Sequence, residues 1–377
     1  TFMSRKLTDL SEISALNLML GSLESRNSVN VFNSSREGLT AEHLKHGSPR
    51  ILSALAALFN KILLKGLQPA DFNSGVLNPV LKKDKDFLDP NNSRGIVISP
   101  ILSKTYEHII SMRESPSDTT DPLQFGFTEG RSPTMASLTT TEAIAECLDQ
   151  GKPVYIASLD SAKAFDVVWQ DSLAVRIFLK KPHEYWLTHT KLLEDTQLEV
   201  KLGDQYSKPF KVAQGVGQGK ILSTKNYKDY IEPAISIHRR SRAGTRIGIY
   251  FVGTPTCADD VLLICSSPED LQEMLEISHQ FACQERFNIH PLKTKVIILN
   301  HKGPSSLHEW TLGGSTIKPS SLLCHLGINR YANSFCSNDL INDRILVARR
   351  TAFSLLGAGF HGSGGLNNPH YEENPGS

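Results

Sequence analysis

Two adjacent carboxylates, Asp259 and Asp260, stand between the short runs Gly253 to Cys257 and Val261 to Ile264. A polar pair between strand-like runs reads as a hairpin whose turn presents the acids. Adjacent like charges repel, and each protonates more readily when buried beside the other. A hard dication relieves that repulsion, because Mg²⁺ takes carboxylate oxygens as ligands. An Asp-rich turn is common in any hairpin, so the pair needs a partner before it implies chemistry. Asp160 is the candidate partner, ending the apolar run Val154 to Leu159 where a turn could begin. Three carboxylates converging from two segments suit two-metal phosphoryl transfer. One ion then activates an attacking hydroxyl while the other holds the triphosphate and leaving group.

The positioning elements can be read from periodicity. Val154 to Leu159 and Val261 to Cys265 are compact apolar strands. Ile51 to Gly66 repeats apolar residues at helical spacing, Gly75 to Leu81 reads as a strand, and Pro100 to Met112 as a second helix. Thr134 to Gly151 reads as a third helix, closed by its glycine. Ser267-Pro268-Glu269-Asp270 is a helix start with a capping serine, proline at the first position and an early acid. The mixture predicts an α+β fold, a sheet with helices on one side.

Composition allows this reading without demanding it. The chain has 377 residues, 40% hydrophobic and 21% charged, at a net charge of +1. Nucleic-acid enzymes are more often basic overall. The local distribution is more informative: Lys201 to Tyr250 is rich in Lys and Arg, and the preceding stretch around Glu142 to Asp171 is acidic. Such separation suits an acidic centre beside a basic phosphate track, although two solvated faces would look the same. The six cysteines form no C-x-x-C pair, so no zinc site and no disulfide framework is expected. Arg5, Lys6 and Asp9 interrupt the start, and Asn60 and Lys61 break the apolar run from Ile51 to Leu64. No signal peptide or membrane span is therefore expected.

At this point the chain resembles a known family. Leu159-Asp160-Ser161-Ala162-Lys163-Ala164-Phe165-Asp166 resembles motif A of non-LTR (LINE-like) retrotransposon reverse transcriptases. Gln214 to Thr224 resembles motif B, and Cys257-Ala258-Asp259-Asp260 motif C, with Cys in place of the usual aromatic. Asn92 to Ile96 and Gln124 to Ser132 resemble fingers motifs. His290 to Thr294 resembles motif D, and His325-Leu326-Gly327 the segment leading to the primer grip. The boxes run in the family's order from about Leu67 to Gly365.

The resemblance implies a right-hand polymerase. It divides into an N-terminal extension over 1–48, fingers over 49–153, palm over 154–332, the start of a thumb over 333–361 and a disordered tail over 362–377. The palm would be an antiparallel sheet backed by helices. The implied activity is RNA-directed DNA synthesis on an RNA template and DNA primer with dNTPs. Two Mg²⁺ ions, or Mn²⁺ as substitute, would be held by Asp160, Asp259 and Asp260. Phe165 would exclude a 2′-hydroxyl, and Gln218 and Gly219 would line the template–nucleotide pocket. Arg94 with one of Lys82 or Lys83 would clamp the triphosphate, and Lys293 would protonate the leaving pyrophosphate. Each has a plainer reading: core packing for Phe165, a Gly-rich turn for motif B, solvated charge for the lysines. The resemblance further implies an intracellular, nuclear location.

The sequence departs from the pattern at Ser93, at His290, and at Gly217 and Lys220 in motif B. The span between motifs A and B is short near Phe178 to Glu184. Those departures predict a fragment or degenerate copy, and the competing expectation is an inactive relic that only binds nucleic acid or a partner.

Overall fold

The computed structural model describes residues 38–82, 85–86, 88–114, 120–161, 163–301, 308–332 and 338–357. Lys83, Ala162, Cys336, most of the expected N-terminal extension and the expected tail lie outside the described residues. The helices are α1 (Ala41–Lys45), α2 (Pro49–Lys65), α3 (Ile101–Arg113), α4 (Pro133–Asp149), α5 (Gln170–Lys180), α6 (His183–Lys191), α7 (Ile221–Arg240), α8 (Pro268–Gln284) and α9 (Asn338–Gly357). The strands that matter first are β1 (Ser74–Leu81), β2 (Ser93–Ile98) and β3 (Val154–Leu159). After them come β4 (Gln197–Leu202), β5 (Gln205–Tyr206), β6 (Phe210–Lys211), β7 (Arg246–Ile247) and β8 (Tyr250–Phe251). The remainder are β9 (Thr256–Cys257), β10 (Asp260–Cys265), β11 (Lys295–Leu299), β12 (Trp310–Leu312), β13 (Ser315–Ile317), β14 (Leu322–His325) and β15 (Ile328–Tyr331).

The central sheet runs β11-β3-β10-β9 with every pairing antiparallel. Its strands carry apolar residues at nearly every position because both faces are covered. Tyr155, Ala157, Leu159, Leu263 and Cys265 pack with Leu271, Met274 and Leu275 of α8. Val154, Ile156, Leu262, Ile264 and Ile297 pack with Ala143, Ile144 and Cys147 of α4. The expectation of helices on one side is thus corrected: an unbroken apolar strand, unlike an alternating one, needs cover on both faces. The α+β class holds. Helix α4, on the fingers side of the boundary expected at 153, packs on this sheet.

The helix ends follow their caps. The Ser267 side chain accepts from Asp270 N at the start of α8, and Ser132 from Met135 N at the start of α4. The second sheet runs β2-β1-β4-β5, with β6 also on β4. Its β1–β4 pair is parallel, Ser74 opposite Gln197, and joins segments far apart in the chain.

A ladder of charges ties α7 to its neighbours. Glu114, at the end of α3, accepts from His189 Nε2 at 2.5 Å, while His189 Nδ1 lies 2.5 Å from Asn226 Oδ1. Lys181 and Lys225 reach the same carboxylate at 3.1 and 3.3 Å. Burial alone would raise the Glu114 carboxyl, but the His189 hydrogen bond and the charges of His189, Lys181 and Lys225 hold it down at about 2. A depressed carboxyl lends stability that is present above its ordinary 4.5 and lost as pH falls through about 2. That drop corresponds to roughly 3 kcal/mol. Glu114→Gln should lose about that much at neutral pH and show a flatter loss of stability between pH 4.5 and 2, read from urea melts across pH.

Candidate active site

The strand register brings the carboxylates together. Leu159 pairs with Val261, so Asp160 leaves β3 at the end where Asp260 enters β10. Cys257 pairs with Asp260 across a two-residue turn, Ala258-Asp259, in which Ala258 has φ 60°. Burial, then the charges of Asp259 and Asp160, push the Asp260 carboxyl up to about 6 although the residue keeps an exposed face. Asp259 is also raised, first by burial and further by Asp160, with Arg94 pulling the other way. The three acids therefore act on one another, with Arg94 at hand.

A neighbouring turn completes the group. Ser161 bridges Ile289, and His290 N donates to Asp160 O at 2.9 Å. That contact carries the His290–Thr294 turn alongside, and Lys293 Nζ lies 3.0 Å from Asp160 Oδ2. Lys293 thus sits on one of the acids.

The second part of the site is the motif B loop, zipped to the turn after Asp160. Val216 N donates to Phe165 O at 2.8 Å and Gly215 N to Val168 O at 2.9 Å. Gln218 O accepts from Val97 N of β2 at 2.7 Å, and its amide reaches Asp166 Oδ1 at 3.4 Å. Gly219 has φ 105°, and a Cβ there would stand 2.7 Å from Val97 O, so only glycine fits. Lys82 bonds Asn91 O at 3.0 Å, and its charge, with that of Lys163, acts on Asp166. The candidates therefore form two adjoining groups: Asp160, Asp259, Asp260, Arg94 and Lys293 in one, and Lys82, Gln218 and Asp166 in the other. Lys83 lies outside the described residues.

Phe165 stacks on Tyr227 with ring centroids 4.7 Å apart and planes 15° apart, and meets Phe127 edge-on at 6.0 Å. Tyr227 is buried, and its hydroxyl is pushed well above the usual range by burial and by Asp259 and Asp260. The stack therefore ends beside the carboxylates.

The basic track expected over Lys208 to Arg246 is not one track. Lys211 pairs with Asp195, Lys225 with Glu114 and Arg239 with Asp121. Lys220 is buried beside Glu107, whose carboxylate accepts from Leu222 N at the start of α7, and burial pushes the lysine down and the acid up. The residues are spread along a twenty-residue helix and its flanks, which linear charge density cannot reveal.

Sequence reasoning missed the brace under the hairpin. Gln124 is fully buried, and its Oε1 accepts from Ala258 N at 3.0 Å and Gly126 N at 2.9 Å. Phe125 N donates to Thr256 O at 2.8 Å. A Cβ on Gly126 would meet Ala258 N at 2.2 Å. The signal lay in Gln124-Phe125-Gly126, where a buried amide and a side-chain-free residue stand two apart. Gly126→Ala should displace the Ala258-Asp259 turn at a cost of about 1–3 kcal/mol. Synthesis should fall at least tenfold while circular dichroism stays near wild type.

As a metal site the donor set is chemically apt, since three carboxylates offer hard oxygens and their mutual repulsion would be relieved by a cation. Among the described residues no three His, Cys, Asp or Glu side chains are gathered closely enough to grip an ion as they stand. Asp160 would have to exchange Lys293 for it.

Known proteins bear on this arrangement. The family model described as reverse transcriptase (RNA-dependent DNA polymerase) matches residues 80–340. The chain is 26% identical over 255 residues to a probable RNA-directed DNA polymerase from transposon BS of Drosophila melanogaster, covering 65% of this chain and 28% of that one. It is 26% identical over 289 residues to the RNA-directed DNA polymerase from mobile element jockey of the same organism, covering 74% and 31%. It is 26% identical over 206 residues to the Pol polyprotein from the type-1 retrotransposable element R2 of Popillia japonica, covering 54% and 29%. The chain thus spans less than a third of each of these relatives. A solved structure of apo telomerase from Candida tropicalis, truncated from its C-terminal domain, is similar at 14% identity and a TM-score of 0.48, covering 80% of this chain and 63% of that one. The family match runs over most of the chain and takes in both loops that carry the acids. The chain belongs to the reverse transcriptase (RNA-dependent DNA polymerase) family.

Proposed function

We propose that the chain extends a primer 3′-hydroxyl with dNTPs on an RNA template. The observation that carries this is the register that brings the end of β3, where Asp160 leaves, to the hairpin that bears Asp259 and Asp260. The family generally uses divalent metals. The residues that would hold two Mg²⁺ ions, or Mn²⁺, are Asp160, Asp259 and Asp260. Bound there, such ions would favour the ionised form of the attacking hydroxyl and offset charge on the triphosphate.

The chain's own groups supply the rest. The 3′-oxygen, its proton passing to solvent water, forms a bond to the α-phosphorus as the bond to pyrophosphate breaks. Arg94, whose charge already acts on Asp259, offers a cation for the triphosphate oxygens. Lys82 stands on the Asp166 side of the same opening. Lys293, freed from Asp160, can give a proton to the departing pyrophosphate. Gln218 and Gly219 are held by β2 where a base pair could rest on main chain.

Primer extension by purified protein on poly(rA)/oligo(dT), with and without Mg²⁺, tests the reading. Metal-dependent incorporation of dTTP is expected. Binding of the hybrid without incorporation under either metal would instead favour the relic.

A further inference from the structure

We propose that the turn after α7 and the β7–β8 hairpin form a second contact for single-stranded nucleic acid, apart from the polymerising cleft. This rests on the polymerase reading only for the class of its ligand. Residues 233–258 include Arg239, Arg240, Arg242 and Arg246 and no acid. Arg239 is bound to Asp121, and Arg246 donates to Arg239 O and Ser241 O while lying over the Phe251 ring at 5.3 Å. Arg240 and Arg242 are exposed and, among the described residues, have no ion-pair partner. Lys225 and Arg239 on α7 have acids; these two do not.

The hairpin adds the complementary feature. Arg246 pairs with Phe251 and Ile247 with Tyr250, leaving Gly248-Ile249 as the turn, with Gly248 at φ 59°. Phe251 anchors it, being buried against Met274 and its neighbours. Ile249 and Tyr250 are 84% and 72% exposed, and nothing lies within 4 Å of a Cβ built on Gly248. The hairpin therefore holds an aromatic ring out in water, and Arg246 ties it to the turn that carries the two uncommitted guanidinium groups.

Stacking on an exposed ring requires an unpaired base, and arginines on the adjoining turn suit phosphates further along the same strand. A duplex hides its base faces, so the single strand is the favoured ligand. The patch is separate from the carboxylates. Thr245 N bonds Ile264 O, so the hairpin starts four residues along β10 from Asp260, roughly 13 Å. A template segment outside the cleft could reach it.

The test is anisotropy of fluorescein-labelled oligo(rU) with the full chain, in EDTA and without nucleotide. It compares wild type, Arg240→Ala/Arg242→Ala, Tyr250→Ala, Tyr250→Phe and the control Lys61→Ala/Lys65→Ala, which removes two exposed charges from α2. The double arginine variant should flatten the plot of log affinity against log salt by about 1.4, two phosphate contacts on a single strand. Tyr250→Ala should weaken binding about fivefold to a hundredfold with the slope unchanged, and Tyr250→Phe should bind as wild type. The proposal fails if the lysine control matches the arginine variant in slope, or if Tyr250→Ala binds as wild type. It also fails if poly-glutamate competes as well as oligo(rU), which would mark the patch as a site for an acidic protein. Synthesis is not read, so an inactive polymerase would leave the result intact.

Discussion

Asp260→Asn is expected to abolish primer extension and at the same time to make the protein slightly more stable. The two effects share a cause. Burial and the charges of Asp259 and Asp160 hold the Asp260 carboxyl up at about 6. An acid whose folded value is raised gives stability that is complete below its ordinary 3.8 and lost as pH rises through about 6. At neutral pH its ionised form is thus a burden on the fold. Because the residue is exposed on one side, solvent screens that burden to about 1 kcal/mol. Asparagine keeps the shape and removes the charge. The proposed ions would then lose an anionic ligand worth several kcal/mol in the transition state, on the order of a thousandfold in rate. Extension kinetics and urea melts at pH 7 read both sides. A variant that lost activity and stability together would make Asp260 a structural residue. One that kept its activity would remove it from the site.

Such a stability cost at a site is what local rules do not explain, and it marks the limit of what the residue string reveals. Strand Val154–Leu159 was legible from its apolar run, and the Asp259-Asp260 pair, common in any hairpin, gained meaning from Asp160 at that strand's end. The start of α8 was legible from its capping serine, whereas α4, read from Thr134, begins one residue earlier behind the Ser132 cap. The pairing of β1 with β4 was not, since nothing in residues 74–77 names residues 197–200 as partners. The Lys293–Asp160 ion pair depends on the Ser161–Ile289 bridge, a contact between distant segments. The Gln124 to Ser132 stretch resembles a fingers motif, and nothing in it names Ala258 N as the partner of the Gln124 carbonyl. The basic stretch misled for the same reason. Charge counted along a chain says nothing of which helix face each lysine takes, and Glu107, Glu114 and Asp121 claim much of it.

Phe165→Val should admit ribonucleotides while leaving deoxynucleotide incorporation largely in place. The ring is fixed on both sides, stacked on Tyr227 at 4.7 Å and met edge-on by Phe127 at 6.0 Å. Its backbone is pinned by Val216 N. The charges of Asp259 and Asp260 act on Tyr227, and in the proposed reaction a nucleotide sugar would lie beside the stack. A 2′-hydroxyl pushed against an apolar ring loses its water and gains no acceptor, a penalty of about 1–3 kcal/mol before any overlap is counted. Valine opens that space and allows water back. The ratio of dNTP to rNTP incorporation should therefore fall by about fivefold to a hundredfold. Removing a half-buried ring also loosens the packing around Tyr227, so the fold will soften whichever reading is right. Stability alone cannot separate a gate from a packing residue, whereas the ratio can, because unfolding lowers incorporation of both sugars alike. Phe165→Tyr provides the second check: it keeps the stack, and should hold the ratio near wild type. An active Phe165→Val enzyme with an unchanged ratio would return Phe165 to the core, and sugar choice would then have to lie elsewhere in the cleft.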